Sequence, residues 1–240
     1  MEVIIAIAIV ALASVVIFKL NRLVSNIDIH ISHDNYLNNH GKYQIALLFL
    51  SFAVLGLAYL QEPHNFKMLF SVGDISAPVD PVQWFGIGEN RSWVFAGLYL
   101  SVIITLGTLG FVYMQFRKLK INAKEIFPYA IWILAFSLTN SFSEEVIYRL
   151  GIISPLYGEI SEGHLILLSA IIFGLVHFGG MPHGLIGMLM AGFLGWFLAK
   201  SVVETQGIFW AWFIHFIQDI VIYIGFVVGH ISSGEAKKSS

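Results

Sequence analysis

SWVFAGLYLSVIITLGTLGFVYMQF, residues 92–116, contains no charged side chain. A helix needs about 20 residues to cross the hydrocarbon core of a bilayer, so this stretch is long enough to do so. Comparable apolar segments recur at residues 3–20, 45–60, 126–141 with a polar extension, 165–178, 185–199 and 208–228. We therefore predict an all-α, polytopic membrane helical bundle with about seven to eight transmembrane helices, which forms a single integral membrane domain over residues 1–240.

The composition agrees with a membrane protein. Apolar residues make up 57% and charged residues 12% of the chain, whereas soluble domains contain about 25% charged residues. The net charge of -2 does not indicate a surface for nucleic acid. The chain has no cysteine, which excludes disulfides, thiolate nucleophiles and cysteine-rich metal sites. A metal would need histidine and carboxylate ligands.

The basic residues predict the orientation. Lys and Arg counted in alternate connections number nine on the side that holds the cluster at residues 117–124 and the C-terminus, against four on the other side. The positive-inside rule therefore predicts a cytoplasmic C-terminus. The first span should be a retained anchor, because Lys19 and Arg22 follow it rather than precede it. Residues 232–240 should form a short solvated tail, and residues 61–91 should lie in the interface or fold over the bundle.

Charged residues within apolar spans suggest a function, and the first such motif is SEEVIYR, residues 143–149. Helical spacing places Glu145 and Arg149 on one face, which predicts an ion pair. Glu144 is turned about 100° away, so it is left as the carboxylate that can take and return a proton. The alternative is that both glutamates only pair or cap at a membrane boundary.

Two later spans carry histidines. His177 ends the segment FGLVH, on the same helix face as Phe173, and would be either a hydrogen-bonded helix end or a functional group. His215 and Asp219 share one face of the last span. They would be a structural pair in which Asp219 fixes the tautomer of His215, or functional groups deep in the bilayer.

In chain order the motifs are E-E-x-x-x-R, F-x-x-x-H and H-x-x-x-D, and the chain resembles the CPBP family of intramembrane proteases, the type II CAAX prenyl endopeptidases and their bacterial relatives. The resemblance covers about residues 126–224. It implies an endopeptidase that hydrolyses a membrane-associated protein or peptide, prenylated or not, through a water activated by Glu and His. It implies that Glu144 is the catalytic glutamate and that His177 is the second catalytic group. It further implies that His215 and Asp219 form the third catalytic motif. Glu145 and Arg149 would be supporting residues.

Two mechanisms remain open. In one, His177, His215 and Asp219 hold a divalent metal such as zinc, and Glu144 moves protons. In the other, which we favour, no cofactor is used: Glu144 and His177 activate water, and the third motif stabilises the oxyanion. An ionised Asp219 would repel an oxyanion, so it must be protonated, orient His215 or bind a cation.

Two other functional classes remain as alternatives. A proton-coupled membrane transporter could use the same buried groups as a relay, and a non-catalytic immunity or scaffold protein could retain a decayed site. Other protease classes lack their motifs, since neither H-E-x-x-H nor G-x-S-x-G occurs. The expected partners are a protein or peptide substrate and membrane lipid, in a bacterial or archaeal plasma membrane.

The simplest topology conflicts with a shared site. With seven alternating spans, Glu144 and His177 lie toward opposite ends of neighbouring helices. Shared chemistry requires a fourth span that continues past Arg149, a tilted fifth span, or a re-entrant segment, for which the glycine-rich residues 179–195 are the candidate. We expect the candidate catalytic residues to line one water-accessible cavity, because isolated buried charges are costly.

Overall fold

The computed structural model describes residues 2–119, 122–180 and 182–234, and nearly all of them are helical. Within these ranges, seven helical segments are long and apolar enough to cross a membrane, as the sequence predicts. They are Glu2–Ser25, Asn35–Gln61, Trp93–Phe116, Ala123–Leu156, Glu162–Gly179, Leu185–Thr205 and Phe209–Ser232. The chain is therefore an integral, multi-pass membrane protein.

The helices are numbered here in chain order. They are α1 (Glu2–Ser25), α2 (Asn35–Gln61), α3 (Pro63–Leu69), α4 (Trp93–Phe116), α5 (Ala123–Ile126), α6 (Ala130–Glu145), α7 (Gly151–Leu156), α8 (Glu162–Val176), α9 (Leu185–Thr205) and α10 (Phe209–Ser232). The fourth span is composite. A 3₁₀ turn joins α5 to α6, and a π-helical turn, Val146–Leu150, joins α6 to α7.

The fourth span is longer than the predicted residues 126–141, and this resolves the conflict in depth. Its polar residues are buried rather than terminal. The hydroxyls of Ser137 and Ser141 each donate a 2.7 Å hydrogen bond to a carbonyl oxygen one turn back. Because the span continues to Leu156, Glu144 lies within it and not at its end. The α8 helix then returns through the bundle and brings His177 back to the depth of Glu144.

The second span begins earlier than the predicted residue 45. The Asp34 side chain caps α2 by accepting hydrogen bonds from the backbone N–H groups of Tyr36 and Leu37, at 2.8 and 3.2 Å. Polar residues of the first turns, including Asn38 and Gln44, are buried against the bundle. A span predicted from hydropathy alone therefore excludes these polar residues and begins after them.

Glycines let the helices that carry the site approach closely. A methyl group at Gly174 of α8 would lie 2.8 Å from the carbonyl oxygen of Met188 on α9. Gly97 of α4 likewise faces the ring of Trp210 on α10, where a side chain would have no room. Small residues at such crossings are typical of helix packing in membranes.

The connection between α3 and α4 folds over the α9–α10 turn, which is one of the two placements predicted for residues 61–91. The Asp74 N–H donates to the Thr205 carbonyl at 2.8 Å. The Trp93 indole donates to Glu204 at 2.8 Å, and Glu204 also pairs with Lys200. The partly buried Glu204 thus contacts the first residue of α4, and it also accepts from the backbone N–H of Asp80 in the connection at 3.4 Å.

Two predicted features lie partly outside the described residues. Lys120 of the basic cluster at residues 117–124 is one, and residues 235–240 of the predicted solvated tail are the other. In the described beginning of that tail Ser232 and Ser233 are exposed, and Ser232 is the last residue of α10.

Candidate active site

Three separate helical segments supply the polar residues that the sequence singles out. Glu144 and Glu145 end α6, where the π-helical turn begins. His177 follows the last residue of α8 and opens a 3₁₀ turn before the glycines that end the helix. His215 and Asp219 lie one turn apart within α10. The fold brings these five side chains together at the centre of the bundle.

Glu144 contacts both histidines. Its Oε2 lies 3.6 Å from Nε2 of His177 and 3.8 Å from Nε2 of His215. Its Oε1 accepts a hydrogen bond from the side-chain amide of Asn140 at 3.2 Å. Among the residues that the structure describes, the buried Oε2 has no hydrogen-bond partner. One oxygen is therefore held in place, and the other faces two imidazoles.

Glu145 makes two contacts. Its Oε2 lies 3.1 Å from Nε of Arg149, and both side chains are 0% exposed, so the spacing argument identified a real contact. Its Oε1 accepts from Nδ1 of His215 at 2.8 Å, a contact that the sequence did not predict. Because a carboxylate only accepts, Nδ1 carries the hydrogen and Nε2 faces Glu144. Glu145 is therefore placed to fix this tautomer, a role for which the sequence offered Asp219 in one of two interpretations.

Asp219 lies on the other side of the same imidazole. Its Oδ1 is 3.6 Å from Nε2 of His215, and its Oδ2 accepts from Asn140 at 3.1 Å. Asn140 therefore donates to both Glu144 and Asp219, although sequence reasoning missed it. The available signal was a carboxamide in an apolar span, one helical turn before Glu144.

His177 is held from its own helix. Its Nδ1 donates to the Phe173 carbonyl oxygen at 2.7 Å, which directs Nε2 toward Glu144. The Phe173 ring packs between two site residues, with the His177 ring 4.4 Å and the Arg149 guanidinium 4.3 Å from its centroid. The His177 side chain is 31% exposed, against 5% for His215, so it is the more accessible imidazole.

A cavity of about 670 Å³ is bordered by these residues. Glu144, His177, His215, Asp219 and Asn140 all line it, and the rest of its wall is mainly apolar. The apolar part of the wall comes from α4, α9, α10 and the α3–α4 connection. Its residues include Ile103, Phe111, Phe193, Leu194, Ile222 and Phe85. A large apolar cavity with a few convergent polar groups is the usual form of a ligand site.

The donor atoms do not form a metal site as they are placed. Within the described ranges, no group of three or more His, Cys, Asp or Glu side chains is arranged to hold a metal ion. Nε2 of His177 faces Glu144 at 3.6 Å, and Nε2 of His215 lies 3.8 Å from Glu144 and 3.6 Å from Asp219.

One comparison with known proteins matches the part of the chain that carries these residues. Residues 126–221 match a family model described as Type II CAAX prenyl endopeptidase Rce1-like. The match includes every candidate catalytic residue and excludes α1, α2 and α4. No curated protein and no solved structure matches the chain. The match over residues 126–221, which carry the three motifs on converging helices, supports membership in the CPBP family.

Proposed function

We propose that the protein is an intramembrane endopeptidase in which Glu144 and His177 activate a water molecule for attack on a peptide bond. The Rce1-like match supports protease activity within the membrane in general terms. The observation that carries the finer proposal is the position of Glu144 Oε2, buried beside a cavity and within 3.8 Å of two imidazole nitrogens.

The proposed steps follow from these positions. Water lies between Glu144 Oε2 and His177 Nε2, and its oxygen attacks the carbonyl carbon as Glu144 takes one proton. The carbonyl π electrons move to its oxygen and form a tetrahedral oxyanion. When the C–N bond breaks, Glu144 returns the proton to the departing amine. A carboxylate with one oxygen held by Asn140 and one oxygen free suits this two-way transfer.

The third motif is proposed to hold the oxyanion. Nε2 of His215 faces the cavity, since Nδ1 is bonded to Glu145. When protonated, His215 Nε2 and Asp219 would each present a donor to the oxygen that gains charge. Both side chains are held by neighbours before substrate binds, and preorganised donors of this kind stabilise transition states strongly.

The substrate is proposed to be a membrane-associated protein or peptide. The family description names CAAX prenyl endopeptidases, so a prenylated peptide with a C-terminal CaaX sequence is the first probe. An unprenylated peptide of the same sequence is the second. Purified protein in detergent should cleave at least one of them, with products identified by mass spectrometry. If neither peptide is cleaved, by the protein in detergent or in liposomes, this substrate class is contradicted.

We also propose that the C-terminus is cytoplasmic, in a bacterial or archaeal plasma membrane, because basic residues are concentrated on that side. The chain contains no cysteine, so single cysteines report orientation without background. Ser76→Cys, in the exposed α3–α4 connection, should react with an impermeant maleimide on intact cells. Ser233→Cys should react only after permeabilisation. The reverse pattern would invert the proposed topology.

Activity is expected to survive exhaustive chelation, because the proposed steps need no metal. Asp219→Asn should keep activity within about tenfold, since its carbonyl oxygen can still accept from Asn140 while its amide donates to the oxyanion. Rates before and after chelation, together with metal analysis, test this. About one equivalent of zinc that restores lost activity, with weaker metal affinity in Asp219→Asn, would instead support the metal mechanism.

A further inference from the structure

We infer that Asn140 is a positioning residue of the proposed protease site, and that Gln44 reinforces the direction of its amide. The inference deepens the proposed function and rests on it, because the residues that Asn140 holds are the proposed catalytic groups. Gln44 belongs to α2, outside the family-matched residues 126–221. The α2 span, which carries none of the three motifs, would thus act on the site through the side chain of Asn140.

The Asn140 amide uses its hydrogen-bonding groups in one particular way. Its nitrogen donates to Oε1 of Glu144 at 3.2 Å and to Oδ2 of Asp219 at 3.1 Å. Its oxygen accepts from Nε2 of Gln44 at 3.4 Å. A primary amide offers two hydrogens on one nitrogen, so Asn140 can bind both carboxylates at once. By holding Oε1, it directs Oε2 of Glu144 toward the two histidines.

The direction of this amide decides whether it attracts or repels the carboxylates. Turned by half a rotation, Asn140 would place its carbonyl oxygen against Glu144 and Asp219. Packing alone distinguishes the two orientations poorly, because the oxygen and the NH₂ group are nearly the same size. The carboxylates themselves favour the NH₂ group because an ionised carboxylate only accepts, and a donor at the Asn140 oxygen reinforces this orientation.

Gln44 presents a donor to the Asn140 oxygen. Its Oε1 lies 2.8 Å from the Thr139 hydroxyl, which also lies 2.9 Å from the Ala135 carbonyl oxygen, and its Nε2 faces Asn140. The same nitrogen donates to the Tyr223 hydroxyl at 2.7 Å, and Gln44 is buried. The Gln44 nitrogen thus donates to the Asn140 oxygen, while the Asn140 nitrogen faces the carboxylates.

Steady-state kinetics on the cleaved CaaX peptide tests the inference. Asn140→Ala should lower kcat about 100-fold with KM within about twofold, because Glu144 is no longer held. Gln44→Glu replaces the donor by an acceptor and turns the Asn140 amide, so kcat should fall about tenfold or more. Gln44→Met removes the partner without reversing it and should cost about threefold. Gln83→Glu, the same change in an exposed turn, is the matched control and should behave as the unsubstituted protein.

The double variant separates positioning from a structural role of α2. If Gln44 acts through Asn140, then Gln44→Glu should have no further effect on kcat in the Asn140→Ala background. Equal losses in both backgrounds would show that Gln44 supports packing instead and would overturn the inference. So would an unchanged kcat in Asn140→Ala.

Infrared spectroscopy gives a readout that does not need turnover. The carboxylate bands of Glu144 and Asp219 can be assigned as those lost in Glu144→Gln and Asp219→Asn. Both bands should shift in Asn140→Ala, because each carboxylate loses a hydrogen-bond donor. Unshifted bands would overturn the positioning inference whether or not a peptide is cleaved. Shifted bands without cleavage of any peptide would retain the hydrogen-bond assignment and refute the proposed protease.

Discussion

Glu144→Gln should lower kcat/KM for peptide cleavage by about 10²- to 10⁴-fold, the range expected when a general acid–base group is lost. Glutamine keeps the size of the side chain and can still accept from Asn140. It cannot take a proton from water at neutral pH. The melting temperature should change little, since Oε2 of Glu144 has no hydrogen-bond partner among the described residues. Peptide hydrolysis and thermal unfolding of the same preparation measure both effects.

Glu159→Gln is the matched control for this experiment. Glu159 is exposed in the connection between α7 and α8, so the same change of charge should leave hydrolysis intact. Activity retained by a folded Glu144→Gln variant would contradict the role proposed for Glu144. Proton movement across liposomes that requires Glu144 in the absence of any peptide cleavage would favour the transporter alternative.

Glu145→Gln is expected to destabilise the fold strongly. Glu145 and Arg149 are both fully buried at 3.1 Å, and removing one charge leaves the other uncompensated. Breaking such a pair costs about 3 to 5 kcal/mol. The folded fraction should keep part of its activity, because a glutamine carbonyl can still accept from Nδ1 of His215. Thermal or denaturant unfolding in detergent, compared with Glu144→Gln, measures the difference.

Two further variants separate the contacts of Glu145. Glu145→Leu removes the acceptor for His215 as well as the charge, so the folded fraction should also lose activity. The double variant Glu145→Leu/Arg149→Met should regain much of the lost stability, because an apolar pair can replace a buried ion pair. A double variant as unstable as Glu145→Gln, or single variants as stable as the unsubstituted protein, would show that the pair contributes little.

The different environments of the adjacent glutamates explain these opposite expectations. Glu144 borders the cavity, with a side chain 16% exposed, whereas that of Glu145 is 0% exposed. Glu145 links α6 to α10 through His215 and contacts Arg149 within its own helical segment. Loss of Glu145 should therefore affect the whole bundle, and loss of Glu144 mainly the reaction.

Features that depend on neighbours in the chain could be predicted from sequence. Apolar length alone predicts seven spans, because each span must satisfy its backbone inside the bilayer. Helical periodicity alone predicts the contact of Glu145 with Arg149, and the resemblance in three motifs names the candidate catalytic residues. Each of these depends on residues within a few turns of one helix. Their physical basis is the fixed rise and rotation of the α-helix.

Features that depend on contacts between helices required the tertiary structure. Hydropathy ended the fourth span at residue 141, because it treats serine and glutamate as polar wherever they lie. In the structure Glu145 is buried against His215 of α10, and the helical segment continues to Leu156. The bond of Glu145 to His215 joins residues 70 positions apart, and that of Asn140 to Gln44 joins residues 96 apart. No local periodicity encodes such pairs. They depend on which helix faces pack together, and side chains from the whole bundle determine that packing.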